Sequence, residues 1–165
     1  MFFTADLHLF HNRLIKDRGY ETAEDMHDDI VKKWNLKISK SDIVYVLGDV
    51  SMLNKPYVIK QVLQRLKYKE LILIKGNHDG KKVIDEGTYT NAYDYKELNY
   101  KKIHIVLSHY PFATWNRSHY GSINLHGHCH GRFAISKQQM DVGMDTNEMN
   151  PYHIDECINK MLLCQ

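Results

Sequence analysis

The stretch ELILIKGNHD, residues 70–79, joins a short apolar run to a cluster of polar side chains. A run of this length, closed by Gly76 and Asn77, is typical of a buried strand that ends in a tight turn. Asn77 offers a neutral carbonyl oxygen as a ligand, and His78 can hold or release a proton. Asp79 can fix the tautomer of His78 by accepting from its other ring nitrogen. The stretch therefore predicts a strand that carries a reactive turn at its end.

Four other apolar runs end in the same kind of polar turn. The runs MFFTA, DIVYVL, KIHIVL and SINL lead, in this order, into Asp6-Leu-His8, Gly48-Asp49, Ser108-His109 and His126-Gly-His-Cys-His130. The C-terminal ends of such strands meet at one edge of an α/β sheet, where ligands usually bind. We therefore expect an α/β fold in which the five turns converge.

The segments between the strands have helical patterns. Thr22 and Asp25 resemble a capping box, and apolar residues then recur at helical spacing to about Leu36. A second helix is predicted to begin at Pro56, because proline is favoured in a first turn. A third is predicted from about residue 152 to 163.

The segment from residue 81 to 100 is less regular. KKVIDEG is compatible with a short helix, and YTNAYDYKELNY alternates tyrosines with polar residues as an edge strand does. We predict one short helix and one edge strand here.

Length and composition indicate one globular domain, residues 1–165. Apolar residues make up 43% and charged residues 25% of the chain, which is close to ordinary globular usage. The formal net charge of +2 is small for a protein that coats nucleic acid. We therefore expect no long duplex nucleic acid as a partner. The oligomeric state is left open.

The sequence favours a cytoplasmic location. It has no apolar stretch of the ~18 residues that a membrane span needs, so no membrane partner is expected. Its start, MFFTADLH, lacks the pattern of a signal peptide. Its 3 cysteines include no Cys-x-x-Cys pair, which argues against a disulfide framework.

Histidine is frequent, with 11 residues, and imidazole is the commonest metal ligand. Asp6 and His8 lie two residues apart, so in extended backbone they share one face and can meet one ion. His128 and His130 have the same spacing and can reach neighbouring ions, while Cys129 points to the other side. Each pair alone is also compatible with an ordinary turn. The two pairs indicate a metal site only when they are considered together with the other polar strand ends.

The candidate metal ligands combine carboxylate, amide and imidazole groups. They are Asp6, His8, Asp49, Asn77, His109, His128 and His130. This set without thiolate favours Mn²⁺, Fe²⁺, Ni²⁺ or Zn²⁺ over a Cys-rich structural zinc site. It is too large for one ion, and two ions that share a carboxylate would use it fully. We interpret His104 and His126 as structural.

In this order the motifs resemble those of the calcineurin-like metallophosphoesterase superfamily. Its pattern of Asp-x-His, Gly-Asp, Gly-Asn-His-Asp/Glu, a lone His and Gly-His-x-His recurs here between residues 6 and 130. The small bacterial and phage-type members are the most similar, because they also have a His-Asn-like segment and a late Val-Gly-x-Asp element. Here these are His11-Asn12 and residues 142–145.

The resemblance implies a four-layer αββα sandwich with a dimetal site at the C-terminal strand ends. One ion would be held by Asp6, His8, Asp49 and His130, and the other by Asp49, Asn77, His109 and His128, with Asp49 bridging. His78 would be the general acid, and Asp79 would orient it. The cofactors implied are two divalent ions, Mn²⁺ first, with Fe, Ni or Zn as alternatives.

The function implied is hydrolysis of phosphate esters, with a nucleotide-like substrate among the possibilities. We slightly favour diesters over monoesters, because the chain is small for a protein that carries extensive specificity domains. A hydroxide that bridges the two ions would attack phosphorus, and His78 would protonate the leaving group. Two alternatives stay open. One is a binding or scaffold protein that keeps the fold with weak catalysis, and the other is a nuclease for small substrates.

The sequence departs from the superfamily after Gly48-Asp49, where many members carry an arginine that grips phosphate and this chain continues VSMLN. Substrate contacts must then come from elsewhere. Candidates near the motifs are His11 and Arg13, together with Trp115 and Arg117 in the loop YPFATWNRSHYG. Arginines there are equally compatible with the solvated surface, and aromatic residues with packing.

Overall fold

The chain forms two β-sheets with flanking helices. The computed structural model describes residues 1–86, 89–133 and 136–163, except for the side chains of 162 and 163. Within these residues the elements are, in chain order, β1 Phe2–Thr4, α1 Asn12–Asp17, α2 Ala23–Lys37, β2 Ile43–Val46, α3 Pro56–Leu63, β3 Glu70–Ile74, α4 Lys81–Asp85, β4 Asn91–Tyr93, β5 Lys96–Tyr100, β6 Ile103–Leu107, β7 Ile123–His126, β8 Gln139–Asp141, β9 Tyr152–His153 and α5 Ile154–Leu163.

The first sheet has the strand order β4-β3-β2-β1-β9, and the second has the order β5-β6-β7-β8. β9 pairs antiparallel with β1, and β5 pairs antiparallel with β6. The other neighbouring strands are parallel. Within each sheet the parallel strands therefore end at a common edge, and the polar turns lie there.

Alternation along the strands separates two cores. In β2, Val44 and Val46 pack in a core that includes Trp34 of α2. Tyr45, between them, packs in a second core that includes Ile105 of the other sheet. This is the two-residue period of a strand that is buried on both faces. The first sheet is therefore the central layer between helices and the second sheet.

The helix starts follow the expected local chemistry. The Thr22 hydroxyl accepts from the backbone N–H of Asp25, and the Asp25 carboxylate accepts from the N–H of Thr22, each at 3.1 Å. This confirms the capping box before α2. Pro56 is the first residue of α3, and α5 begins at Ile154, two residues after the predicted start. No helix in the described ranges has the length and apolar character to cross a membrane.

The segment 81–100 differs from the prediction in one respect. The short helix is confirmed as α4, although Gly87 lies outside the described residues. The prediction of a single edge strand is wrong, because the segment forms two strands, β4 at the edge of the first sheet and β5 at the edge of the second. An alternating polar pattern suits any half-exposed edge and does not specify which sheet it joins.

The predicted sandwich of two sheets with flanking helices is confirmed. Helices α1 to α4 contribute buried side chains to the core on the outer face of the first sheet. Helix α5 packs in the core between the sheets, beside β8 and β9. The loop 110–122 lies against the outer face of the second sheet, where the backbone N–H of Phe112 donates to the Asn124 side chain at 3.4 Å.

Candidate metal centre

The turns after β1, β2, β6 and β7 bring six acidic and imidazole side chains together in two groups. One group is Asp6, His8 and His130, and the other is Asp49, His109 and His128. Within each group one ligand atom from each residue lies within 4.8 Å of the others. The structure thus assembles candidate ligands that are spread over most of the sequence.

The backbone at these residues is not extended. The predictions that Asp6 and His8 share one face, and that His128 and His130 do, both assumed extended backbone, and that assumption is wrong. Five ligands have positive φ, in the left-handed region: Asp6 (55°), His8 (49°), Asp49 (55°), His128 (69°) and His130 (50°). Non-glycine residues seldom adopt it, and such strain concentrates at functional sites. Strand β7 ends at His126, and the next residues turn sharply. The paired imidazoles therefore come from turns.

Two glycines allow the turns to approach each other. A Cβ on Gly48 would lie 2.3 Å from Nδ1 of His109, and Gly48 itself has a φ of 90°. A Cβ on Gly127 would lie 2.5 Å from Cβ of Ala5 and 2.8 Å from Oδ2 of Asp6. Any side chain at either position would therefore displace the ligand-bearing turns.

The first group fits a cation. Asp6 is fully buried, and its Oδ1 has no hydrogen-bond partner. Nε2 of His8 lies 3.8 Å from this oxygen. Burial raises the pKa of Asp6 to about 7 and lowers the pKa of His8 to about 3. A buried carboxylate oxygen without a donor, beside a neutral imidazole, is what a divalent ion would satisfy.

In the second group, Nδ1 of His109 lies 2.8 Å from the carbonyl oxygen of Leu47. A carbonyl only accepts, so the proton is on Nδ1 and Nε2 faces the group, as in many metal sites. Nε2 lies 3.5 Å from Oδ2 of Asp49 and 3.0 Å from Oδ1 of Asn77. Asn77, the seventh candidate ligand, therefore adjoins this group.

Asp49 lies between the two groups. Its Oδ2 is 3.8 Å from Nε2 of His8 in the first group and 3.5 Å from Nε2 of His109 in the second. Its Oδ1 accepts from the backbone N–H of His78 at 2.9 Å. Asp49 is thus placed as a shared ligand would be.

The His78 side chain is 40% exposed at the mouth of the centre, with Nε2 3.9 Å from Oδ2 of Asp49. Asp79 does not orient it. The Asp79 carboxylate accepts from the backbone N–H groups of Asp49, Val50 and Gly76 at 2.8–3.0 Å. Among the described residues no hydrogen bond joins it to His78. Asp79 therefore fixes the turns after β2 and β3, because its oxygens are directed at their amides.

Of the candidate substrate residues, His11 lies beside the candidate ligand His8. Its ring centroid is 5.5 Å from that of His8, and its Nδ1 accepts from the N–H of Leu14 at the start of α1. Arg13 is 88% exposed on α1 and pairs with Asp17 at 3.7 Å.

Among the hydrogen bonds, ion pairs and ring contacts of the described residues, none joins the two candidates in the loop 110–122 to the candidate ligands. The Trp115 indole donates to the carbonyl of Ser122, a contact within the loop. Arg117 lines a hollow of about 170 Å³ with Ile103, the first residue of β6, whereas His109 follows the other end of that strand. The packing and surface interpretations fit these two residues better. His104 and His126, interpreted as structural, belong to neither ligand group.

Three residues near the ligands were not among the predicted ligands or catalytic residues, although Tyr110 belongs to the loop whose aromatic residues could border the site or simply pack. The Tyr110 hydroxyl donates to Oδ1 of Asn77 at 3.2 Å, and its ring centroid lies 4.5 Å from that of His128. Asp145 accepts from Nδ1 of His130 at 2.6 Å. Arg18 binds Asp145 with two hydrogen bonds of 2.8 Å. Asp145 had a signal in the late Val-Gly-x-Asp element, whereas Arg18 had none.

Comparison with known proteins identifies the family. Residues 2–158 match the family model described as calcineurin-like phosphoesterase. The chain belongs to this family. It is therefore a metal-dependent phosphoesterase, a hydrolase of phosphate esters, and the resemblance of its motifs is confirmed.

Individual proteins are similar to this chain over most of its length. The Gene 66 protein of Mycobacterium phage D29 is 29% identical, and the alignment covers 88% of this chain and 87% of that protein. An uncharacterized protein of Methanocaldococcus jannaschii is 30% identical, over 79% of this chain and 69% of that protein. The crystal structure of a protein of unknown function from Aquifex aeolicus has a TM-score of 0.74 at 22% identity, over 96% and 97% of the two chains.

Proposed function

We propose that this chain hydrolyses phosphodiesters in preference to monoesters, with Asp49 shared between two divalent ions and His78 as general acid. The observation that carries the proposal is the position of Asp49 Oδ2. It lies within 3.9 Å of Nε2 of His8, His109 and His78. The two ion sites and the acid therefore share one small space.

When bound, two divalent ions would supply an acidified water nucleophile and neutralise charge on the phosphate oxygens. The protein holds the ligands for this with fixed tautomers and buried carboxylates. The imidazoles and carboxylates without thiolate suit Mn²⁺, which we propose as the preferred ion, with Fe, Ni or Zn as alternatives. Cys129, which lies between two ligands in sequence, belongs to neither ligand group.

His78 has the exposure and position of a proton donor. Its backbone N–H is held by Asp49 Oδ1, so the residue is fixed to the shared ligand while its ring faces the opening. A proton on the ring can pass to the departing alkoxide oxygen.

The charge around the centre favours a diester. A monoester carries a second negative charge, which an additional cationic side chain beside the centre would stabilise. Arg18 is the arginine or lysine, among the described residues, for which a hydrogen bond to a candidate ligand is found. Its Nε, Nη1 and Nη2 already donate to Asp145 and to the carbonyls of Leu7 and Asp6, so it is not placed to bind a phosphate oxygen. A singly charged diester suits this environment better. The half-exposed ring of Tyr110 beside His128 offers a planar surface for a nucleoside or aryl group.

The test compares bis(p-nitrophenyl) phosphate with p-nitrophenyl phosphate in Mn²⁺ and in excess EDTA. We expect metal-dependent turnover of both, with the larger kcat/KM for the diester. A larger value for the monoester would contradict the diester preference. Metal binding without turnover on esters, cyclic nucleotides or short oligonucleotides would favour the scaffold alternative. Turnover confined to oligonucleotides would favour the nuclease.

We also propose a cytoplasmic location. Cys129 and Cys157 are free thiols in the described residues, and Cys157 is fully buried. Burial raises the pKa of the Cys157 thiol to about 12, so it is stable as a reduced, inert group. Fractionation of the producing cells with detection of the protein checks the location.

A further inference from the structure

Arg18 is a buried cation with an unusually complete set of partners. It follows α1, and its side chain is 5% exposed. Nη1 donates to the carbonyl of Leu7 at 2.9 Å, and Nη2 donates to the carbonyl of Asp6 at 2.7 Å. Nε and Nη2 also donate to the two carboxylate oxygens of Asp145. The guanidinium therefore grips the backbone of the first ligand turn.

Asp145 extends this contact to the last ligand turn. Its Oδ2 accepts from Nδ1 of His130 at 2.6 Å, which leaves Nε2 of His130 for an ion. Arg18 and Asp145 are 127 residues apart in sequence. Together they connect the backbone of Asp6 to the ring of His130, and both of these ligands belong to the same group.

The contacts are confined to one of the two ligand groups. Among the hydrogen bonds of the described residues, none joins Arg18 or Asp145 to Asp49, His109 or His128. The second group has its own supports, the Leu47 carbonyl on His109 and the Asp79 carboxylate on the Asp49 amide. The backbone N–H groups of Asp6 and His8 also donate to the carbonyls of Gly48 and Asp49, each at 3.0 Å, so the two turns are joined. A change at Arg18 should therefore weaken the first ion site much more than the second.

From this arrangement we infer that Arg18 and Asp145 are a positioning pair that sets the divalent-ion affinity of the Asp6–His8–His130 group, with a much smaller effect on the other group. The inference rests on the proposed ligand roles. Its physical basis is that a carboxylate behind a metal-binding histidine fixes the ring and raises its basicity, and that the planar arginine fork fixes the carboxylate. Lysine offers no such fork.

The test measures Mn²⁺ affinity of Arg18→Lys and Asp145→Asn by calorimetry in two backgrounds. His128→Ala leaves the first group intact, and His8→Ala leaves the second. We expect each variant to weaken binding ~10- to 100-fold in the His128→Ala background and less than about 2-fold in the His8→Ala background. Arg65→Lys, at an exposed ion pair with Asp28, is the matched control and should change neither.

The outcomes separate this inference from the proposed function. Equal weakening in both backgrounds, or none in the first, would overturn the positioning role while the wild type still binds two ions and hydrolyses diesters. A wild type that binds no Mn²⁺ would overturn both. Near-ultraviolet circular dichroism without metal establishes folding, and the nearly isosteric Asp145→Asn carries the test if Arg18→Lys does not fold.

Discussion

The carboxylate of Asp6 accepts a hydrogen bond of 2.8 Å from the backbone N–H of His128, 122 residues further along the chain. This bond joins the first ligand turn to the last, and it uses Oδ2 while Oδ1 stays without a partner. The contact needs an acceptor but does not need a charge. Structure and ion binding can therefore be separated at this residue.

Asp6→Asn should stabilise the metal-free protein and abolish tight binding at the first group. Burial raises the pKa of Asp6 to about 7 in the metal-free folded protein. Between about pH 4 and 7 this carboxyl group is ionised in the unfolded chain but still mostly protonated in the folded chain, so the metal-free wild type loses stability as the pH rises through this range. We expect the variant to be more stable by about 2–4 kcal/mol at pH 8 in EDTA. Urea unfolding at several pH values checks this, and a variant less stable than the wild type at pH 8 would contradict it.

His78→Ala should affect poor leaving groups far more than good ones. A general acid contributes ~10²- to 10⁴-fold, but p-nitrophenolate leaves without protonation. We expect a loss of about this size in kcat for alkyl diesters and a much smaller one for p-nitrophenyl diesters, with unchanged Mn²⁺ affinity. His119→Ala is the control in an exposed loop. An equal loss on both substrate classes would show that His78 does not act as the acid.

Asp79→Asn should lower stability and leave the pH profile of kcat in place. The amide oxygen can still accept from the Asp49 and Gly76 N–H groups that now reach Oδ2, but the NH₂ group cannot accept from Val50. We expect a loss of about 1–3 kcal/mol in the free energy of unfolding. If Asp79 instead oriented His78, kcat and its pH profile would change while stability stayed constant.

His27 should make stability fall in mild acid. Its Nε2 accepts from the backbone N–H of Phe10 at 3.2 Å, and burial lowers its pKa to about 4. As the pH falls, His27 is protonated near pH 6.5 in the unfolded chain but only near pH 4 in the folded chain. Acid between these values therefore favours the unfolded chain. From pH 7.5 to 5, in EDTA, the wild type should lose about 1–2 kcal/mol more than His27→Gln. A parallel loss in the two proteins would contradict this.

The parts of the site that depend on local sequence patterns could be predicted. Short apolar runs are followed by glycine, asparagine, aspartate or histidine, and these endings predict Asp6, Asp49 and His109 at one edge without any tertiary information. The Thr22 capping box is equally local. Such features depend on neighbours within a few residues, so a single sequence contains them.

The parts that were missed depend on distant contacts. Nothing near Arg18 in sequence indicates that it will be buried against Asp145. The left-handed backbone of His128 occurs together with a hydrogen bond to Asp6, 122 residues away. Asp79 binds the amides of Asp49 and Val50, about thirty residues away, and sequence proximity suggested His78 instead. Residues that act through the assembled fold leave no periodic signal.

The split of residues 89–100 between β4 and β5 has a consequence for how the centre forms. The link from β4, at an edge of the first sheet, to β5, at an edge of the second, is short and consists of Asp94 and Tyr95. Asp6, His8 and Asp49 follow strands of the first sheet, while His109, His128 and His130 follow strands of the second. Each ion would therefore bind residues from both sheets. Packing of the two sheets against each other and completion of the coordination sphere would then be one cooperative event.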